Sequence, residues 1–262
     1  MGSARKLQHS AALLVLAVSC AQSQAEQLTV VSSGGFAAAL KLLAPQFEQE
    51  TGHHLQLEWG PSMGDTPQAI PQRLARGEKF DVLVMVGSSL DQLQAQGRVV
   101  PDSNTPLAAS RIALAVKHGS TQPDISTLTA LKQTLLNSHS IAYSDSASGV
   151  FLSKVLFARL GVADQIKDRS RMIPAEPVGQ VVARGEAELG FQQLSELIPI
   201  AGIDIVGLLP EQAQQVTTFS AGISNDSVHK GVARQLLRFL AAPQAAVSIR
   251  QTGMTPASTS AQ

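Results

Sequence analysis

The chain has 262 residues and is 44% hydrophobic but only 4% aromatic, with 20 Lys and Arg against 20 Asp and Glu. Balanced charge removes the electrostatic reason to expect nucleic acid, and so few aromatics leave little stacking surface for bases. Length and apolar content fit one large domain or two smaller lobes with a well-filled core.

Arg5 and Lys6 precede an apolar run at residues 11–18, and Ser23-Gln24-Ala25 offers a small-x-small cleavage site. Residues 1–25 therefore read as a secretory signal peptide, too short in its apolar part to span a bilayer. Lipidation at Cys20 is the lesser alternative, because Ala17 stands where a lipobox has Leu. Removing the signal leaves 18 basic and 20 acidic residues, a net charge of −2, and takes away the only cysteine. The exported protein then has no disulfide and no thiol for catalysis or metal binding. The expected compartment is a bacterial periplasm, with no membrane insertion after signal removal.

From Gln27 onward, apolar strand-like runs alternate with amphipathic stretches. Residues 28–32 read as a buried strand. Residues 36–49 follow as a helix, with Ala39, Leu40, Leu43 and Phe47 at helical spacing. Strands at 55–59 and 80–86 and helices at 70–76 and 90–96 complete a β-α-β-α-β series, the pattern of a mostly parallel sheet flanked by helices. A second series starts at 111–117. It holds helices at 128–136, 150–160 and 178–184, and strands at 140–143, 172–173, 189–191, 203–208 and 217–223. Two helices, 228–240 and 245–251, close the chain. The fold expected is α/β with two lobes, residues 26–107 plus 224–262 and residues 108–223. The chain would cross between them near 101–106 and 220–224, leaving a hinge and a cleft.

Four junctions precede helices: Ser32-Ser33-Gly34-Gly35, Ser62-Met63-Gly64-Asp65-Thr66, residues 144–149 (SDSASG), and Glu176-Pro177-Val178-Gly179. Free backbone N–H groups, the helix dipole and nearby hydroxyls make such places anion-binding without Lys or Arg. One junction alone reads as a cap or turn. Four at equivalent positions of a two-lobed fold point to a ligand between the lobes. Asp65 and Asp145 read as caps, since a carboxylate beside an anion repels it. Arg73, Arg76 and Arg111 are the basic residues placed nearest the cleft, with a surface charge as the alternative for each. His53 and His54 follow a helix-ending Gly52, His118, His139 and His229 are isolated, and no H-E-x-x-H, cysteine pair, G-x-S-x-G or phosphate loop occurs. No metal and no cofactor are expected.

The ordered segments LTVVSSGGFAAALKLLAPQFEQETG, RLARGEKFDVLVMV, RIALAVK, SDSASGVFLSKVLFARLG, PVGQVVARGEAELGFQQLSEL and AAPQAAVSIRQTGMTPA together resemble the periplasmic molybdate-binding protein family. The resemblance implies a type II periplasmic binding protein fold, hinged around a small anion, and service to an ABC permease. It also implies departures. Gly35 stands where the family has a ligating Ser, Gln193 where it has a Tyr, and Pro61-Ser62-Met63-Gly64 lengthens the second loop. A roomier pocket with fewer hydroxyls suits an organic polycarboxylate better than a compact oxyanion.

Two functions follow. One is a solute-binding protein that captures and releases a polycarboxylate or an oxyanion such as molybdate. The other, implied by the resemblance and favoured, is an enzyme on the same scaffold that interconverts trans- and cis-aconitate by an allylic proton shift. Its binding residues would be Ser33, Gly34, Gly35, Ser62, Met63, Gly64, Arg73, Arg111, Ser148, Gly149, Val178 and Gln193. Its proton carrier would be one of Glu176, Tyr143, His54 or Ser148. No extended apolar patch is legible, so a monomer is expected.

Overall fold

The computed structural model describes residues 25–257; the signal peptide read above, with Cys20, lies outside them apart from Ala25. The elements run β1 (Gln27–Ser32), α1 (Gly34–Thr51), β2 (His54–Trp59), α2 (Ile70–Ala75), β3 (Val82–Val86), α3 (Gly87–Ala95) and β4 (Thr105–Lys117). There follow α4 (Leu128–Asn137), β5 (Ile141–Ser144), α5 (Ala147–Phe151), a π-helical turn (Leu152–Leu156), α6 (Phe157–Arg159), α7 (Ala163–Ile166) and β6 (Ser170–Ile173). The chain finishes with α8 (Val178–Ala183), β7 (Leu189–Gln193), α9 (Leu194–Leu197), β8 (Ile203–Leu208), β9 (Val216–Ile223), α10 (Lys230–Ala241), α11 (Ala245–Gln251) and β10 (Thr255–Pro256).

Strands follow the order β2-β1-β3-β9-β4-β7-β5-β6, with β8 and β10 also paired to β4. β1 is parallel to β2 and β3, and β5 is parallel to β6 and β7, while β9 and β4 run antiparallel to their main neighbours. The 13-residue β4 belongs to both halves. Its residues 105–111 pair with β9, and its residues 112–117 pair with β7 and β8. Buried side chains divide at the same place: Leu107 and Ala108 join the core under α1 and α10, whereas Ile112, Leu114 and Val116 join the core under α4.

This pairing corrects both crossings read from the sequence. The first lies inside β4, which begins at Thr105 and tolerates Pro106 at a register irregularity before Ala108. The second precedes β9. Val216–Ile223 pairs with β3 and the first half of β4, and Phe219, Ala221 and Ile223 pack into the first core. These residues therefore lie in the first sheet, not with the second lobe.

α1 forms where Phe36, Ala39, Leu40, Leu43 and Phe47 recur on one face, all fully buried. It stops at Gly52, whose φ of 75° only glycine adopts freely. Strands β1, β2, β5 and β7 end at Ser32, Trp59, Ser144 and Gln193. In open α/β sheets, ligands sit beyond such carboxyl ends. No helix among the described residues is long and apolar enough to cross a membrane.

Candidate functional site

A cleft of about 210 Å³ opens where those strand ends meet. The first lobe contributes Gly34 from the start of α1, Trp59, Gly60 and Pro61 from the end of β2, and Gln68. The second contributes Ser144, Asp145 and Ser146 from the β5–α5 junction, Ala175, Glu176 and Pro177 from the segment before α8, and Gln192 and Glu196 from β7 and α9. Three of the four junctions singled out in the sequence thus line it; the second does not, and its loop reaches the cleft only through Gly60 and Pro61, which precede Ser62. A larger hollow, about 740 Å³, lies at the opposite ends of the second-lobe strands, beside Ser140, Leu189 and Lys117. None of the four junctions reaches it, so the smaller cleft is the candidate site.

The polar lining is unusual in sign. Three carboxyl groups face the cleft, and none of its lining residues is Lys, Arg or His. Asp145 is 8% exposed, and its Oδ2 accepts the Ala175 N–H at 2.8 Å. That N–H is presented by a non-glycine residue at φ 53°, a conformation that costs energy and needs the surrounding contacts to hold it. Burial raises the Asp145 carboxyl above its ordinary range, and the Ala175 hydrogen bond only partly offsets this. Glu176 is ion-paired with Arg184 Nη1 at 2.6 Å.

Glu196 is the residue that sequence reasoning missed. Burial pushes its carboxyl up to about 7, Asp145 pushes it the same way, and hydrogen bonds from the Gln192 side chain and the Gln193 backbone pull against them. It sits in α9, a helix of four residues, too short to show a period. The one legible signal was a Glu three residues after Gln193, the N-cap of that helix. Across the cleft, Glu196 Oε1 lies so close to Gly34 that any Cβ there would collide with it. The carboxyl of one lobe thus rests on the first turn of α1 in the other, where N–H groups have no intrahelical partner.

The other expected residues take different places. Ser33 precedes Gly34; its N–H donates to the Val84 carbonyl at 2.8 Å, while its buried hydroxyl has no partner. Gly35 is pressed against the Phe219 ring, and its carbonyl accepts the Ser195 hydroxyl at 2.7 Å. Ser62 is fully buried and accepts the Val86 N–H at 2.9 Å, tying its loop to β3. Met63 packs on the first core, and a Cβ on Gly64 would come within 3.3 Å of the Asp145 carbonyl. Val178 spends its N–H on Gln192 Oε1 at 2.9 Å. Gln193 donates to Thr217 Oγ1 at 2.9 Å and keeps a buried, unpartnered Oε1.

Several expectations are corrected outright. Arg73 is bound to Glu58 and Glu78 and lies over the Phe80 ring, because three neighbours on its own lobe satisfy the guanidinium. Arg111 is half exposed and faces Glu211 at 3.5 Å. Ser148 pairs with Ser144 Oγ at 2.9 Å, and Gly149 packs on the Ser144 backbone; both fasten α5 to β5. Tyr143 turns into the second core, edge-on to Phe157 at 5.9 Å. His54 begins β2, the end of that strand away from the cleft. The Asp145 carboxylate, read as a cap, holds the Ala175 loop and lines the site instead.

Comparison with known proteins matches residues 28–255 to the bacterial extracellular solute-binding protein pattern. The chain belongs to that family. This solute-binding protein is 55% identical over 229 residues to the aconitate isomerase of a Pseudomonas species, covering 87% of both chains. It is 27% identical over 247 residues to the molybdate-binding protein of Azotobacter vinelandii, covering 90% of this chain and 92% of that one. The solved periplasmic molybdate-binding protein of Azotobacter vinelandii superposes with a TM-score of 0.71 at 24% identity, over 88% of this chain and all of the other. The solute-binding protein has the two-lobed type II periplasmic fold of these relatives, and family membership agrees with the periplasmic location read from its sequence.

Proposed function

We propose that the protein is an aconitate isomerase and that the chemistry takes place in the interlobe cleft. One observation carries the reading: the 55% identity to an aconitate isomerase, spread over 87% of each chain. The cleft supports it. Its volume, about 210 Å³, suits a small organic acid rather than the drug-sized ligands of sites of about 300–1,000 Å³.

The reaction moves one proton across an allyl unit and changes no oxidation state. It needs the substrate carboxylates held, the charge that develops on deprotonation stabilised, and a base beside carbon. The first turn of α1 and the β5–α5 junction supply N–H groups and the Ser146 hydroxyl for the first two tasks. Closing the lobes removes water and strengthens these dipolar contacts.

The test is incubation of purified residues 26–262 with trans-aconitate, followed by proton NMR. Accumulation of cis-aconitate to equilibrium is expected. Trp59, the only tryptophan, lines the cleft with 39% of its surface exposed, so its fluorescence reports binding separately. Binding of trans-aconitate without turnover would leave capture and release as the function, which the family description favours. A Trp59 response to molybdate but not to aconitate would overturn the carboxylate reading.

A further inference from the structure

We propose that Glu196 carries the proton between the two allylic carbons of the substrate. This rests on the isomerase reading. The geometry selects it by what surrounds each carboxyl of the cleft. Glu176 is neutralised by Arg184 at 2.6 Å, and Asp145 is committed to holding the strained Ala175 turn at 2.8 Å, a task Glu196 does not share, since its hydrogen bonds come from Gln192 and Gln193 of the strand it follows. Glu196 has no cation partner among the described residues and lies across the cleft on the first residue of α1.

The groups facing it are fixed by each neighbouring element. Asp145 faces it from the β5–α5 junction, Glu176 with its Arg184 partner from the segment before α8, and the Gln192 amide and Gln193 N–H from β7. The start of α1 offers Gly34, and no Lys, Arg or His lines the space. A carboxyl that titrates near 7 is a stronger base than an ordinary carboxylate and is still substantially ionised at neutral pH.

The step balances without any further reactant. Ionised Glu196 takes a proton from the substrate methylene, and the C–H electron pair becomes the new double bond. The old π pair moves to the far carbon and spreads into its carboxylate, which faces the N–H groups of the cleft. Glu196 then returns the proton to that far carbon. The double bond has shifted by one position, with its geometry set by the bound conformation, and the base is regenerated.

Glu196→Gln and Glu196→Asp test this with two readouts, turnover by NMR and trans-aconitate binding by Trp59 fluorescence. Glu196→Gln is expected to bind as the unaltered protein does while its kcat falls about 10²–10⁴-fold. Glu196→Asp should keep intermediate turnover. In the unaltered protein kcat/KM should rise with pH and level off above about 7; in Glu196→Gln that rise should vanish from the residual rate. Turnover of Glu196→Gln within tenfold of the unaltered protein overturns the assignment and leaves the isomerase reading standing. Loss of binding together with turnover also overturns it, because the carboxyl would then serve capture. An unaltered protein that binds but never isomerises sinks the isomerase reading itself.

Discussion

Glu196 has no positive charge beside it, so ionising it costs more in the folded protein than in the unfolded chain. Its folded carboxyl titrates near 7, against an ordinary 4.5. Below about pH 4.5 both states hold the proton and the stability contribution is complete. Between 4.5 and 7 the unfolded chain releases the proton first, so stability falls as pH rises, and it levels off above 7. A tenfold weaker acid corresponds to about 1.4 kcal/mol; allowing for the part of the residue open to the cleft, the loss is on the order of 2 kcal/mol. Glu196→Gln keeps the shape and removes the charge. Its melting temperature should exceed that of the unaltered protein by roughly 4–8 °C at pH 8, and the gap should close by pH 5. An equal gap at both values would show that the carboxyl carries no such penalty. A base kept at this cost is what a functional site tends to contain.

At the scale of elements, the β5–α5 junction works as a rigid corner. A Cβ on Gly149 would strike the Ser144 backbone carbonyl, which has no side-chain freedom with which to move aside. Gly149→Ala should therefore destabilise the protein by about 3 kcal/mol or more, visible in urea unfolding, and should displace Asp145 and Ser146 with the corner. Stability within about 1 kcal/mol of the parent would contradict that geometry. This corner also shows what the sequence could and could not reveal. SDSASG before a helix was legible because turn residues and capping residues are chosen locally. So were the long periodic helix α1 and the short, wholly apolar run of β3. Which atom of the corner faces the ligand was not legible, since Ser148 and Gly149 turn inward to each other and to Ser144 while Asp145 and Ser146 turn outward. Tyr143 and Arg73 were misplaced for the same reason: an aromatic neighbour from α6 and two glutamates of the first lobe claim them, and such partners are set by tertiary packing. α9 was invisible because four residues carry no period, and Glu196 went with it.

Across the whole molecule, the lobes meet through few polar ties. Ser195, on the second-lobe helix α9, donates to the Gly35 carbonyl at 2.7 Å and lies 3.3 Å from Ser110 Oγ on β4, all of it buried. Removing the hydroxyl leaves a buried carbonyl with one partner fewer, at about 1 kcal/mol. Ser195→Ala should therefore weaken trans-aconitate binding about fivefold by Trp59 titration, with a larger radius of gyration by X-ray scattering in the absence of ligand. Unchanged affinity and size would show that the tie plays no part in holding the lobes together. β4 itself supplies the continuous link, because one strand is bonded into both sheets on either side of Arg111 and Ile112.

The missing cations in the cleft wall bear on how long a guest stays. A receptor built to scavenge traces gains from arginine forks, which grip a carboxylate in its resting state as firmly as in any other. A catalyst gains nothing from that grip, since holding starting material and activated species equally well leaves the barrier where it was. Walls that meet the guest with amides and a hydroxyl lack that resting-state grip. They keep their strongest attraction for the brief moment when extra negative charge appears on the allyl unit.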